Sequence, residues 1–325
     1  MKRTLIAETN EQFKSFSPYV ASINNGGTVA FQSTLANGGA GIFSSSGGLP
    51  IWHTESMQGL VSSFDSHPDI NNDGALSFYA TLDTGAQGVF VIRDGQWRTV
   101  AKSGAGPLGP TMNDSAQVAF RCCLHSQHAA ICVGSGDAIT TIADTANMFD
   151  HFHGLPVINS TGAVVFCADM AVGGQGLYSS FDGQLSLIAD TSGIFGSLGA
   201  FPVMNDTGSV AFCAPLKAGG TGIYKVKNGQ VTTIADTSGP FESFRGVLVN
   251  NAEMTVFYAT PRDGVLGIYS GTDPLTDKIL AVGEAMLGSV VTEFALNPVS
   301  INDAGQLAIR IKLANGREMI IRYEP

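Results

Sequence analysis

One phrase returns seven times along this chain: an asparagine-led turn followed by a short apolar strand. Its anchors are Asn24, Asn71, Asn113, Asn159, Asn205, Asn250 and Asn302, separated by 47, 42, 46, 46, 45 and 52 residues. The clearest copies read INNGGTVAF over 23–31, NSTGAVVF over 159–166 and NDTGSVAF over 205–212. A period in the forties made of short strands and turns marks a propeller or an array. One repeat is legible strand by strand. Residues 198–204 form a first strand, and Asn205-Asp-Thr-Gly208 a tight turn in which Gly supplies positive φ. Residues 209–216 form a second strand and 222–227 a third. Asn228-Gly229 is a two-residue hairpin signal, and 230–236 make the fourth strand. No segment carries a sustained helical period, so almost no helix is expected.

The two ends of the chain account for each other. After Asn302 there is room for a second strand (306–313) and a third (317–323), but not for a fourth. Thr4-Leu-Ile-Ala-Glu8 matches the fourth-strand phrase Thr233-Ile-Ala-Asp236. The N-terminal strand is therefore expected to pair onto the last blade and close the ring, which removes exposed sheet edges. The expected fold is all-β: a seven-bladed β-propeller with four-stranded antiparallel blades, forming a single domain over residues 1–325.

Composition agrees and narrows the function. Charged residues make up 14% of the chain, hydrophobic residues 44%, and there are 40 glycines, which suits turn-rich sheets buried on both faces rather than disorder. A formal charge of −10 with no Lys/Arg run disfavours nucleic acid, and no nucleic-acid partner is expected. No apolar stretch reaches 18 residues, so no membrane span is expected. Residues 1–9 are too short and polar for a signal peptide. The five cysteines have no disulfide spacing and read as buried free thiols, which suits a reducing cytoplasm.

The Asn-x-x-Gly-x-Val-Ala-Phe phrase resembles the tandem repeat of many bacterial β-propellers. It is also similar to the propeller half of cyanobacterial alkylating enzymes, which join alkyl chlorides to resorcinols in cyclophane biosynthesis. That resemblance implies a propeller fold and a C–C bond-forming enzyme of secondary metabolism. Those enzymes also carry an N-terminal calcium-binding domain that helps form the active site, and no such domain is expected within these 325 residues.

In a four-stranded blade the first strand lines the central channel. The connections into each blade share one face with the loops between second and third strands, here termed the inlet face. Shared residues build blades, while departures from the repeat are candidates for a site. After the apolar anchor of each inlet segment come Ser17, Asp65, His153, Gly199, Arg245 and Ala295. Asp65, His153 and Arg245 form a polar set suited to an anionic or hydroxylated ligand, with Arg245 as the anion fork and Asp65 or His153 as base. Tyr19 and His67 lie one or two residues further in, and Arg121 in the slot after the second-strand Phe; all three are candidate ligand contacts. Arg121 and Arg310, if buried, need carboxylate or carbonyl partners, and a structural ion pair is the expected role of both. His125, His128 and His151, with His153 or Asp150, are candidate ligands for a divalent metal such as zinc, although their spacing matches no zinc signature. The plain alternatives are a water-filled channel and solvated loop histidines. There is no Gly-x-Ser-x-Gly elbow and no phosphate loop, and the Asn-Asp-x-Gly segments are turns rather than calcium loops. Three classes of function remain: an enzyme with one small-molecule site on the inlet face, a non-catalytic ligand-binding module, or a protein-interaction platform.

Overall fold

The repeated asparagine makes its turn by standing in for a backbone acceptor. In all seven copies Asn Oδ1 accepts the N–H four residues on, at 2.9–3.0 Å. The residue at the third position after Asn has positive φ each time: Gly27, Gly74, Ala116, Gly162, Gly208, Glu253 and Gly305. Five of the seven are glycine, the residue that reaches this region at no steric cost. Each turn delivers the chain into a buried second strand such as Val164–Met170 or Val210–Pro215.

The computed structural model describes residues 2–17, 21–56, 60–102, 109–124 and 128–325, the side chains of 123 and 124 excepted. It contains no helix among these residues. Seven antiparallel sheets succeed one another in chain order, each but the last with its strands in sequence from inside to outside. They are numbered here from blade one, whose inner strand begins at Phe13. The protein is a seven-bladed β-propeller. In blade seven the outer strand is Lys2–Glu8, paired antiparallel with Glu318–Glu324 from Lys2↔Glu324 to Glu8↔Met319. Ion pairs Arg317–Glu8 and Lys2–Glu324 flank this seam, and Ile6 and Ala7 are buried beneath it. The N-terminal strand thus closes the ring, as its likeness to the fourth-strand phrase requires.

The core lies between and within the blades rather than on the axis. One cluster joins Ile6, Ala308 and Ile320 of blade seven to Phe13, Phe16, Phe31 and Phe43 of blade one. Blade four shows the repeating unit: Phe149, Phe152, Phe166 and Tyr178 pack with centroids 5.0–5.9 Å apart, mostly edge to face. Burying each such ring contributes roughly 1.5–3 kcal/mol, with somewhat more from the paired geometry.

Inner strands depart from expectation. In blades four and six they begin at Phe149 and Phe241, three residues before the anchors Phe152 and Phe244, and run through a bulge. The first residue of each i, i+3 aromatic pair is as buried as the second, so the strand starts earlier. In blade five the ladder is kept only at Val203–Met204, with an isolated bridge at Phe195↔Leu216. Gly199 and Pro202 fall in the gap; Pro has no N–H to donate.

Candidate functional site

The channel has two differently built mouths. At the asparagine-turn end the amide of each anchor donates to the backbone carbonyl of the next anchor: Asn24 to Asn71, then to Asn113, Asn159, Asn205, Asn250, Asn302 and back to Asn24, at 3.0–3.3 Å. Outside this ring the following residues form a second one. Backbone N–H groups of Asn25, Asn72, Ser160, Asp206, Asn251 and Asp303 each donate to the side chain of the next blade. The seventh link has no side-chain carbonyl to receive it, because blade four carries Ser160 there. The seven turns line a cavity of about 170 Å³.

Asp69 also lines this cavity yet is 2% exposed. Burial pushes its carboxyl up to about 7, against hydrogen bonds from the Met112 and Ile70 backbone, the first at 2.7 Å. Two residues before Asp69, outside the strand, His67 is buried among packed atoms, and neither ring nitrogen has a partner among the described residues. Burial lowers its pKa to about 4, so it is neutral. A Cβ on Gly109 would meet its ring at 2.7 Å, which is why the chain has glycine there. His67 is thus enclosed and not at an open mouth.

On the inlet face, blade four stands apart. His151, Asp169 and Gln175 lie opposite one another on the three inner strands. His153 Nε2 is 2.8 Å from Asp169 Oδ1, and Gln175 Nε2 donates to the same oxygen at 3.0 Å. Nε2 faces Asp169 Oδ1 and also lies 3.4 Å from Gln175 Nε2; with its proton directed at the carboxylate, Nδ1 is left as the acceptor. Burial acts to raise the Asp169 carboxyl, but the bonds from His153 and Gln175 and the nearby imidazoles outweigh it and hold it below the usual range. Gln175 Oε1 in turn accepts the Leu198 N–H of blade five at 2.9 Å, so the carboxamide that steadies Asp169 is fixed across the blade boundary. The His151 ring packs edge-on against His153 with centroids 4.9 Å apart. Side-chain exposure of 27% for His153 and 37% for Asp169 leaves the pair open to a ligand.

The sequence candidates are distributed as follows. Arg121 Nη1 donates to the Gly154 carbonyl at 3.1 Å, next to His153, rather than to a carboxylate. Arg310 does form the expected ion pair, with Glu293 and Glu318. Gly154 has φ +57°, and a Cβ there would lie 1.8 Å from the Ala200 carbonyl, so only glycine lets blade five approach this closely. Asp65 is exposed, and its carboxylate accepts the Ser63 and Thr81 hydroxyls, both at 2.6 Å. Arg245 is exposed and makes no hydrogen bond or ion pair with another described residue. No hydrogen bond or ion pair joins Asp65 or Arg245 to His153 among the described residues. His128 is exposed at the start of the third strand of blade three. Tyr19 and His125 lie outside the described residues. Among the described residues no three His, Cys, Asp or Glu side chains form a metal-binding group.

Asp169 and Gln175 were missed in the sequence, although Asp169 left a signal. Three residues after the second-strand Phe come Thr34, Thr81, Asp169, Pro215 and Thr260; blade four alone has a carboxylate in this set. Blades two and four use the slot reciprocally. Asp65 accepts the hydroxyl of Thr81, whereas Asp169 accepts a hydrogen bond from His153.

Comparison with known proteins supports the fold. A model of a family of unknown function (DUF7453) matches residues 105–225. No curated protein matches the chain by sequence. Among solved structures, an oligogalacturonate lyase in complex with manganese is 10% identical with a TM-score of 0.61, covering 100% of this chain and 98% of that one. An ulvan lyase, a polysaccharide lyase bound to a GlcA–Rha3S saccharide, is 13% identical with a TM-score of 0.56, covering 98% and 96%. A puromycin-hydrolyzing peptidase of Mycobacterium tuberculosis is 14% identical with a TM-score of 0.60; the match covers 97% of this chain and 53% of the peptidase.

Proposed function

We propose that this propeller binds one small anionic, hydroxylated ligand on the inlet face at blade four, and that His153 acts there as a general base. The observation that carries the reading is the His153–Asp169 pair. An ionised carboxylate held by Gln175 orients the imidazole and leaves Nδ1 to take a proton. Arg121, anchored on the carbonyl after His153, places positive charge beside the pair. Arg245 adds a guanidinium on the same face that has no partner among the described residues, and Asp65 a carboxylate already oriented by two hydroxyls.

Proton abstraction beside an anionic group is the reaction class this arrangement suits. Acidic saccharides fit that description, and two of the similar folds are named as lyases of such polymers. The repeat's resemblance to alkylating propellers adds a second substrate class, since a base facing a resorcinol would remove its proton as the C–C bond forms. A non-catalytic ligand-binding role uses the same residues without the proton step. No helix of the described residues is long and apolar enough to cross a membrane.

The test is calorimetric titration of the wild type and of His153→Ala with galacturonate and glucuronate oligomers and with a resorcinol. Saturable binding to the wild type that is weakened at least about tenfold in the variant supports the site. Equal binding by both proteins, or none by either, counts against it. Solvent-deuterium exchange into a bound ligand, absent in His153→Ala, would separate base from mere contact.

A further inference from the structure

In blade three the second strand, Val118–Leu124, pairs with the third, His128–Ser135, so that Phe120 faces Cys132 and Cys122 faces Ala130. Cys122 and Cys132 are therefore diagonal neighbours on one face of the sheet. Their sulfurs are 2.8 Å apart, inside van der Waals contact, and only a short approach from the roughly 2.03–2.05 Å of a bond. Both side chains sit in the core between blades two and three, against Tyr79, Val100 and Phe120. The packing that surrounds the sulfurs holds them in contact. Cys167 and Cys213 offer a contrast: they occupy matching slots of blades four and five, each buried or half-buried and with no thiol partner among the described residues.

We propose that Cys122 and Cys132 are a modification site: a dithiol that a small disulfide such as oxidised glutathione converts to a cross-strand disulfide within blade three. Cys122 keeps 6% exposure and Cys132 none, so Cys122 is the residue of the pair nearer solvent. One sulfur of the pair, as thiolate, attacks the glutathione disulfide, forming a mixed disulfide and releasing one glutathione thiolate, which takes up a proton. The other, already in contact, then attacks the sulfur that carries glutathione and displaces the second glutathione. Two protein thiols lose two electrons and two protons in all, and one glutathione disulfide becomes two thiols. The inference is independent of the function proposed above.

The site is tested on the full chain with Cys123→Ser, which removes the adjoining thiol. The folded protein is equilibrated across glutathione buffers from reduced to oxidised, acid-quenched, denatured and alkylated, and its intact mass is read. Of the five cysteines, four then remain, so the reduced form takes up four alkyl groups. The expected oxidised form takes up two, carries no glutathione, and yields one peptide joining Cys122 to Cys132. Its thermal midpoint should fall on adding reductant. Four alkyl groups at the most oxidising poise overturn the proposal, as does persistent glutathione on either sulfur or a bridge to Cys167 or Cys213. With Cys122→Ser added, the count should stay at three in every buffer; should that variant not fold, the readout on the Cys123→Ser protein decides alone.

Discussion

The two mouths of the channel are made from the same seven repeats and differ in almost everything else. At the asparagine end each blade gives the same donor to the same acceptor on its neighbour, and the bonds close on themselves. At the inlet end no such rule holds. Ser17, Asp65, His153, Gly199, Arg245 and Ala295 occupy equivalent places with different chemistry, and among these described residues only that of blade four, His153, pairs with a carboxylate. Where every blade repeats a residue, the polar groups are spent on holding blades together. Where one blade departs, a polar group becomes available to something else.

That contrast can be broken by measurement. The largest effect is expected on deleting residues 1–9, which strips the outer strand from blade seven and bares the row opposite it. A loss of several kcal/mol is a large share of the roughly 5–15 kcal/mol that holds a domain folded. The truncated chain should lose its cooperative thermal transition, and melting within a few degrees of the full chain would show that closure matters little.

Next comes Asp69→Asn. The folded carboxyl holds its proton up to about 7, while the unfolded one lets go near 3.8. The folded state therefore binds more protons between those values, and stability falls as pH rises through that window, by on the order of 4 kcal/mol. Asparagine keeps an acceptor for the Met112 N–H and has no proton to lose. Its thermal midpoint should exceed that of the wild type at pH values above about 7 and match it near pH 4. Parallel pH profiles for the two proteins would rule the explanation out.

Smaller, but sharper for the comparison, is the pair Asn205→Ala and Asn25→Ala. Asn205 is buried and bonds to the Asn250 carbonyl and to the Thr207 and Ser209 N–H groups, so about 2–4 kcal/mol should go with it. Asn25 sits in the exposed outer ring and should cost less than about 1 kcal/mol. Equal losses in urea titrations would mean that the inner ring has no special weight.

The smallest effects on stability belong to the inlet face. Asp169 is held below its usual range, so its contribution is present above the unfolded value and is lost as pH falls through the lower folded one. His153→Ala should therefore move only the acid limb of unfolding, by less than about 1 kcal/mol for so exposed a pair. Arg245→Ala should leave the thermal midpoint within about 0.5 kcal/mol of stability while weakening anion binding. A marked fall in stability in either variant would turn a candidate site residue into a structural one.

How much of this was legible follows from the range of each signal. The Asn-x-x-Gly turn acts on its own four residues, so the spacing of the anchors reported the blades directly. The terminal strand was legible because its phrase copies a fourth strand. The amide ring was not, since a donor aimed at a carbonyl some 45 residues away leaves no local pattern. His153 stood out as a departure, but its partner Asp169 lies across the sheet and needed the columns of the repeat aligned. His67 looked like a mouth residue by position; its neighbour Gly109, from another blade, encloses it instead. Arg121 was expected in an ion pair and found a backbone carbonyl, an equally good acceptor that no sequence marks.

The seam between Lys2–Glu8 and Glu318–Glu324 sets the chain's two ends side by side in one sheet. Joining them by a short linker and cutting the chain in an outer hairpin, such as Asn228-Gly229, would leave every blade and all seven amide links in place. The ring has no first blade in energetic terms, and the order in which the ribosome delivers the strands is one of several that describe the same circle. Such circular permutants should share one melting point and differ in how quickly they reach the folded state.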